Sequence, residues 1–332
     1  MRRPLGVLTV IVSALLLSAC TSTAPAEGTA GADGGDTVLN VVTSTSVYAD
    51  VARAIGGEHV NVKAIVDKTS QDPHSYEATS RDMLALSKAD VIVANGGGYD
   101  PFMDSLAGGL ELPVGAVLHA VDFTETADGH EEHGEDPAAT ATEETPAAGA
   151  HAGHDHSGMN EHVWYDVHTV GALAQGIARK YSELMPDKAT EFEDAARAFD
   201  AQADAVTEHI ESLRVLTEGK SFAMTEPLAY YMLTEAGLSD ATPSGFSAAM
   251  EAGEDVSPLL LKHLNDGLRE GKYALLALNT QTSGPQTDKV RSIAQDAGVP
   301  VLSLTETLPE GQTYISWMES NVHELEVSLG NG

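Results

Sequence analysis

Residues 38–66 read VLNVVTSTSVYADVARAIGGEHVNVKAIV, and the fold turns on how this stretch alternates. Residues 38–43 are a short apolar run rich in β-branched side chains, which predicts a strand. Residues 47–55 follow with helical spacing and stop at Gly56-Gly57. Residues 60–66 then predict a second strand. Outward from here the alternation continues, with a short helix at 80–87, a buried strand at 90–94 and a fourth strand at 114–118. A second set occupies the C-terminal part: strand 221–224, helices 228–236 and 258–268, strand 273–278, helix 288–297, strand 300–304, and a final helix from about residue 313. Strands separated by helices predict parallel sheets covered on both faces. Between the two sets, residues 167–217 are helical in pattern, interrupted near Met185-Pro186. Phe192, Ala195, Ala196, Phe199, Ala203, Val206, Ile210 and Leu213 form one apolar stripe there, which reads as core. The expectation is an α/β fold of two lobes, 38–166 and 218–332, with parallel sheets, joined by one long rigid linking helix at 167–217. A cleft should lie between the lobes. Such a linker should resist wide hinge motion and favour local loop ordering around a ligand.

The first residues indicate a compartment. Met1-Arg2-Arg3 precedes an apolar stretch too short to span a bilayer, so residues 1–19 read as a secretory signal. Leu17-Ser18-Ala19-Cys20 ends it and resembles a bacterial lipobox, with Cys20 as the lipidated residue. Residues 20–37, rich in Ala, Gly, Thr and Ser, read as a flexible tether. The expected location is the outer face of the cytoplasmic membrane.

The chain carries 18 basic and 50 acidic residues, a net charge of −32. That balance argues against nucleic acid as a partner and concentrates cations near the surface. Cys20 is the only cysteine, which excludes an internal disulfide and zinc–thiolate or iron–sulfur sites. Any metal has to be held by imidazole and carboxylate. Residues 124–158 are Ala-, Thr-, Gly- and acid-rich and carry His130, His133, His151, His154 and His156; they read as a loop that collects metal weakly or is merely solvated. The Asn95-Gly96-Gly97-Gly98 run lacks G-x-G-x-x-G and G-K-[ST] spacing, so it reads as a tight turn and not a phosphate loop.

Three stretches fall at strand ends or loops facing the same cleft, where ligands bind in open α/β sheets. They are Asp72-Pro73-His74-Ser75-Tyr76-Glu77, Asn160-Glu161-His162-Val163-Trp164-Tyr165-Asp166, and Thr225-Glu226-Pro227. Tyr76 and Trp164 read as packing residues; His59, His119, His168, His209, His263 and His323 read as ordinary surface histidines.

The order of D-P-H-S-Y-E, then N-E-H-V-W-Y-D, then a strand ending in a metal-binding side chain resembles the periplasmic metal-binding proteins of zinc and manganese ABC importers. The lipobox and the acidic, His-rich insertion fit as well. The resemblance spans residue 38 to the final helix. It implies that His74 and His162 are metal ligands. The third ligand is His in many zinc-type members and Glu in many manganese-type ones; here it is Glu226. A fourth, usually Asp, comes from the loop before the last helix. The chain reads Glu310-Gly311-Gln312-Thr313-Tyr314 there, placing Gln312 at that position, with Glu310, Asn279 or water as alternatives. Zinc is the expected cargo, with manganese the alternative: Glu226 favours the harder ion, whereas the loop histidines and an amide at Gln312 favour zinc. Asp166 is a candidate for orienting a ligand imidazole. Affinity should fall as pH drops below about 6.5, where histidine protonates. The resemblance also implies permease and ATPase partners, a monomer and no enzymatic activity. A secreted zinc hydrolase with a His2Glu site is the competing class. It lacks H-E-x-x-H and G-x-S-x-G and has only Asp166 as a weak candidate base. A metal-dependent adhesin or a zinc chaperone is a third.

Overall fold

The computed structural model describes residues 38–124, 159–282 and 284–330. The signal, Cys20, the tether and the five histidines of the acidic loop lie outside the described residues. Among the described residues no helix is long and apolar enough to cross a membrane.

Two four-stranded parallel sheets form the frame. The first comprises β1 (Leu39–Thr45), β2 (Val60–Val66), β3 (Val91–Ala94) and β4 (Val117–His119), in the order β2-β1-β3-β4. The second comprises β5 (Ser221–Met224), β6 (Ser239–Asp240), β7 (Leu275–Asn279) and β8 (Val301–Leu304), in the order β6-β5-β7-β8. The two orders are the same, so each sheet reverses direction of growth beside its first strand, and the carboxyl ends of its middle strands face a crevice. β3 and β7 are buried throughout, as strands covered on both faces should be.

The alternation read from residues 38–66 is present, with the helix at Ser46–Gly56. The fourth strand starts later than expected. Pro113 accepts the backbone N–H of Ala116 in a turn, Val114 is exposed, and pairing begins only at Val117. Two short helices, Pro101–Ala107 and Phe246–Glu251, and the two-residue β6 had no counterpart in the sequence reading.

The helical region 167–217 is not one rod. Helix Val167–Leu184 ends before Pro186, whose ring and missing N–H cannot continue it. Helix Ala189–Ser212 then returns alongside, so that Tyr181 meets Phe192 edge-on and Gly171 faces Ala203 and Asp200. A short turn of helix, Arg214–Thr217, completes the passage to β5. The linking element is therefore an antiparallel pair whose second member reaches the second lobe. Its stripe of Phe192, Ala196, Phe199, Ala203, Val206, Ile210 and Leu213 is buried, and one hydrophobic core runs from β1 and β3 through this pair to β5, β7, β8 and the final helix Tyr314–Gly330. His59, read from sequence as a surface residue, is buried, bonded to Glu191 at 2.9 Å and set edge-on against Phe192.

Candidate metal centre

Most side chains of the cleft stand just beyond the carboxyl end of a strand or on the connection that follows it. After β2, Asp72 accepts the backbone N–H of His74 at 2.9 Å and the hydroxyl of Ser75 at 2.8 Å, which closes the loop around the imidazole. Tyr76 packs on Phe102 and donates to Asp82, whose carboxylate accepts the backbone N–H of Thr79, the N-cap of helix Ser80–Leu86; the loop is thus pinned on its far side.

After β3, residues 95–98 make the tight turn. Gly96, Gly97 and Gly98 take φ of 78°, 65° and 99°, a region that side chains disfavour. A Cβ on Gly97 would also come within 3.0 Å of Val121 and 3.6 Å of Glu161. The turn lets Asp100 accept the N–H groups of Asn95 and Gly96, and lets Asn95 Nδ2 donate to the Glu161 carbonyl at 2.9 Å. Tyr99 follows, its ring edge-on to His74 at 4.8 Å and packed on Trp164 at 4.5 Å.

His162 is fully buried. Both its backbone N–H and its Nδ1 meet Asn160 Oδ1, at 3.1 and 2.7 Å. Because that oxygen can only accept, Nδ1 carries the proton and Nε2 presents its lone pair to the cleft. Burial, and then the neighbouring His74, hold this imidazole well below the usual histidine range, so it stays neutral. Asn160 also donates to the Pro227 carbonyl at 2.7 Å and accepts from Tyr231 through its own carbonyl, so one residue ties His162 to the Glu226 segment. Asp166 does not orient an imidazole. It caps helix Val167–Leu184, accepting from the N–H groups of His168 and Thr169 and the Thr169 hydroxyl, and is not available as a base in the cleft.

Glu226 lies two residues past β5 and is 3% exposed, held by Thr282 and by Asn279 Nδ2. Glu306 lies two residues past β8 and is fully buried. It accepts from Asn279 Nδ2 at 2.6 Å and Tyr99 at 3.0 Å and stands 3.6 Å from His74 Nε2. Glu251, at the end of its short helix, approaches His162 Nε2 to 3.5 Å. One donor atom each from His74, His162 and Glu251 lie within 4.8 Å of one another.

Gln312, the expected fourth donor, sits in the turn that opens the final helix, its backbone N–H bonded to the Pro309 carbonyl at 3.2 Å; its side-chain oxygen is buried without a hydrogen-bond partner, and among the described residues no hydrogen bond joins it to His74, His162, Glu226 or Glu306. Glu310 is exposed in the same turn. Asn279 does reach the site, as a donor bridging two carboxylates, and not through its oxygen, which accepts from Gln281 N–H. Sequence reasoning missed Glu306, Glu251 and Gln281. The amide oxygen of Gln281 accepts from the N–H groups of Glu306 and Thr307, and its amide nitrogen donates to the Gln71 carbonyl at 3.0 Å, clasping the His74 loop to the Glu306 loop. A signal for Glu306 was present: Met224-Thr225-Glu226 and Leu304-Thr305-Glu306 are the same strand-end pattern.

Burial and crowding raise the carboxyls of the cleft. Burial, against the hydrogen bonds of Asn279 and Tyr99, pushes Glu306 up to about 7. Burial first, then Glu161, Glu226 and Glu306, pushes Glu251 up to about 8. Burial also raises Glu226 and Glu161. This electrostatic tension fits a cation. His74 Nε2, His162 Nε2 and Glu251 Oε1 are buried with no hydrogen-bond partner, a costly state that a divalent ion relieves. Two imidazole nitrogens beside carboxylate oxygens, without sulfur, are donors that zinc and manganese accept.

The model of the family described as "Zinc-uptake complex component A periplasmic" matches residues 41–327. Among curated relatives, the chain is 24% identical over 312 residues to the manganese ABC transporter substrate-binding lipoprotein scaA of Streptococcus gordonii, covering 90% of this chain and 91% of that protein. It is 24% identical to the zinc-binding lipoprotein AdcA of Streptococcus pneumoniae, covering 98% of this chain and 60% of AdcA. The fold is similar to the periplasmic zinc-binding protein TroA from Treponema pallidum, with a TM-score of 0.69, 18% identity, and coverage of 88% of this chain and 99% of that one. It is also similar to the laminin-binding protein Lmb of Streptococcus agalactiae, described as having adhesin and metal-transporting activity. There the TM-score is 0.66, the identity 21%, and the coverage 88% and 100%.

Proposed function

The chain belongs to the family of periplasmic zinc-uptake components, and from that premise we propose that it captures a divalent transition metal through His74, His162, Glu226 and Glu306 and hands it to the permease and ATPase of an ABC importer. One observation carries the ligand set: two imidazoles whose Nε2 atoms are buried and unpartnered stand beside carboxylates held from behind by Asn279, Thr282 and Tyr99. A carboxylate has about four lone-pair sites, so a single hydrogen bond on each oxygen leaves positions for an ion. The ion displaces protons from the raised carboxyls as it enters. The relatives are solute-binding proteins, and with Asp166 committed to a helix cap the hydrolase reading loses its candidate base.

On metal identity, zinc is the tighter ligand, since manganese lies lowest in the affinity order of divalent first-row ions for any such nitrogen and oxygen site. Manganese remains as a second reading because taking Glu306, a carboxylate, as a donor instead of the Gln312 amide hardens the site. Cys20 as lipid anchor at the outer membrane face, a monomeric state, and the histidines of 124–158 as a weak collector complete the proposal. Titrating chelator-stripped protein with zinc and manganese in competition tests it. One tight ion per chain, lost in His162→Ala, supports the reading; undiminished tight binding in that variant overturns it.

A further inference from the structure

Glu251 differs from the other carboxylates of the cleft. Glu226 is fixed by Thr282 and Asn279, and Glu306 by Asn279 and Tyr99. Glu251 Oε1 has no hydrogen-bond partner and faces the equally unpartnered His162 Nε2. Depth separates the donors too. The side chains of Glu251 and His74 are 21% and 19% exposed, whereas those of His162 and Glu306 are both 0% exposed. Glu251 is carried at the end of the six-residue helix Phe246–Glu251, on the connection between β6 and β7, and not directly behind a strand. Donors around a tetrahedral zinc lie about 3.4 Å apart, given bond lengths of about 2.0–2.1 Å. His74, His162 and Glu251, already within 4.8 Å, need only a small contraction to hold an ion at the mouth.

We propose that Glu251 is a transit donor: an incoming divalent ion is first held by His74, His162 and Glu251, then exchanges Glu251 for Glu226 and Glu306 while keeping both imidazoles. The step is a ligand substitution. The metal–oxygen bond to Glu251 breaks as those to Glu226 and Glu306 form, metal-bound water leaves, and no electron moves. Release to the importer runs the exchange in reverse. This rests on the metal-capture reading above.

Stopped-flow exchange of zinc between the chelator-stripped full chain and a chromophoric chelator tests it, comparing the parent with Glu251→Gln, Glu251→Asp and Glu226→Gln. A transit donor lowers the barrier without belonging to the final set. Glu251→Gln should therefore slow association and dissociation alike, by about tenfold, and leave Kd within about threefold. Glu251→Asp, which keeps a carboxylate, should fall between parent and Gln. Glu226→Gln should weaken Kd by about 10–100-fold. The slowing should persist from about 50 to about 500 mM salt, because screening removes steering by a rim charge but not coordination. Unchanged rates in Glu251→Gln, a weaker Kd with unchanged association, or a slowing that vanishes at high salt would each overturn the proposal. Unweakened binding in Glu226→Gln would instead overturn the ligand set on which it rests.

Discussion

Replacing Glu306 with glutamine should strengthen the metal-free fold and weaken the metal complex at once. The Glu306 carboxyl is fully buried, and burial raises it from 4.5 to about 7 although Asn279 and Tyr99 both donate to it. Between those two pH values the folded chain holds a proton that the unfolded chain has released, so metal-free stability falls as pH rises through the window. At about 1.36 kcal/mol per pH unit, the 4.5-to-7 difference amounts to at most about 3 kcal/mol, reached above pH 7 and absent below pH 4.5. Glutamine keeps the shape. Its oxygen can take the Asn279 N–H while its amide donates to the Tyr99 hydroxyl, which turns to accept. Urea unfolding of chelator-treated parent and Glu306→Gln at two pH values provides the assay. The variant should be more stable by about 2–3 kcal/mol at pH 8 and by less than about 1 kcal/mol at pH 5. With saturating zinc that advantage at pH 8 should shrink by about 1.4–2.7 kcal/mol, since the variant loses a charged donor and about 10–100-fold in affinity. A variant less stable than the parent at pH 8 without metal, or one with equal gains at both pH values, would refute the reasoning.

Gln312→Ala should leave zinc affinity within about twofold of the parent while Glu306→Gln does not, because a turn residue outside the cluster contributes no donor; isothermal titration of the two variants side by side distinguishes them. Zinc affinity should already fall between pH 8 and pH 6, earlier than histidine protonation alone would bring, because Glu306 at about 7 must lose its proton to hold the ion. Calorimetry in buffers of different ionisation enthalpy should register net proton release on binding at pH 7, and its absence would count against this order of titration. Asn160→Ala should lower zinc affinity by about 10–100-fold without removing a ligand, since it frees the His162 ring and cuts the tie to Pro227; competition with a calibrated chelator measures it, and full affinity would show that His162 needs no orienting partner.

The parts legible in the sequence were those governed by periodicity. Residues 60–66 and 221–224 were located to the residue as strands, and the helix at Ser46–Gly56 to within one. What escaped was short or set by tertiary contact. Helix Phe246–Glu251, bounded by Gly245 and Gly253, is too brief for a helical period to declare itself, and with it went Glu251. The fold back at Pro186 was visible as a break but not as a reversal, because the direction of the second helix depends on Tyr181 meeting Phe192. At the site, His74, His162 and Glu226 came from motifs; the two imidazole rings are neighbours at 5.7 Å, and Glu226 shares Asn279 with Glu306. The sequence reading counted the fourth position back from the final helix, whereas strand ends are what aim side chains into the crevice. Counting two residues past β8, as Glu226 lies two past β5, leads to Glu306. Asn160, in place of Asp166, orients His162 because the chain turns at residue 162 before the helix starts, which no pattern of side-chain types records.

Anomalous diffraction at the zinc edge, from crystals of protein loaded with one equivalent of zinc, tests the central claim most directly. The account predicts one strong peak in the cleft, about 2.0–2.2 Å from His74 Nε2, His162 Nε2 and an oxygen each of Glu226 and Glu306. A principal peak that lacks either imidazole, or lies outside the cleft, would contradict it.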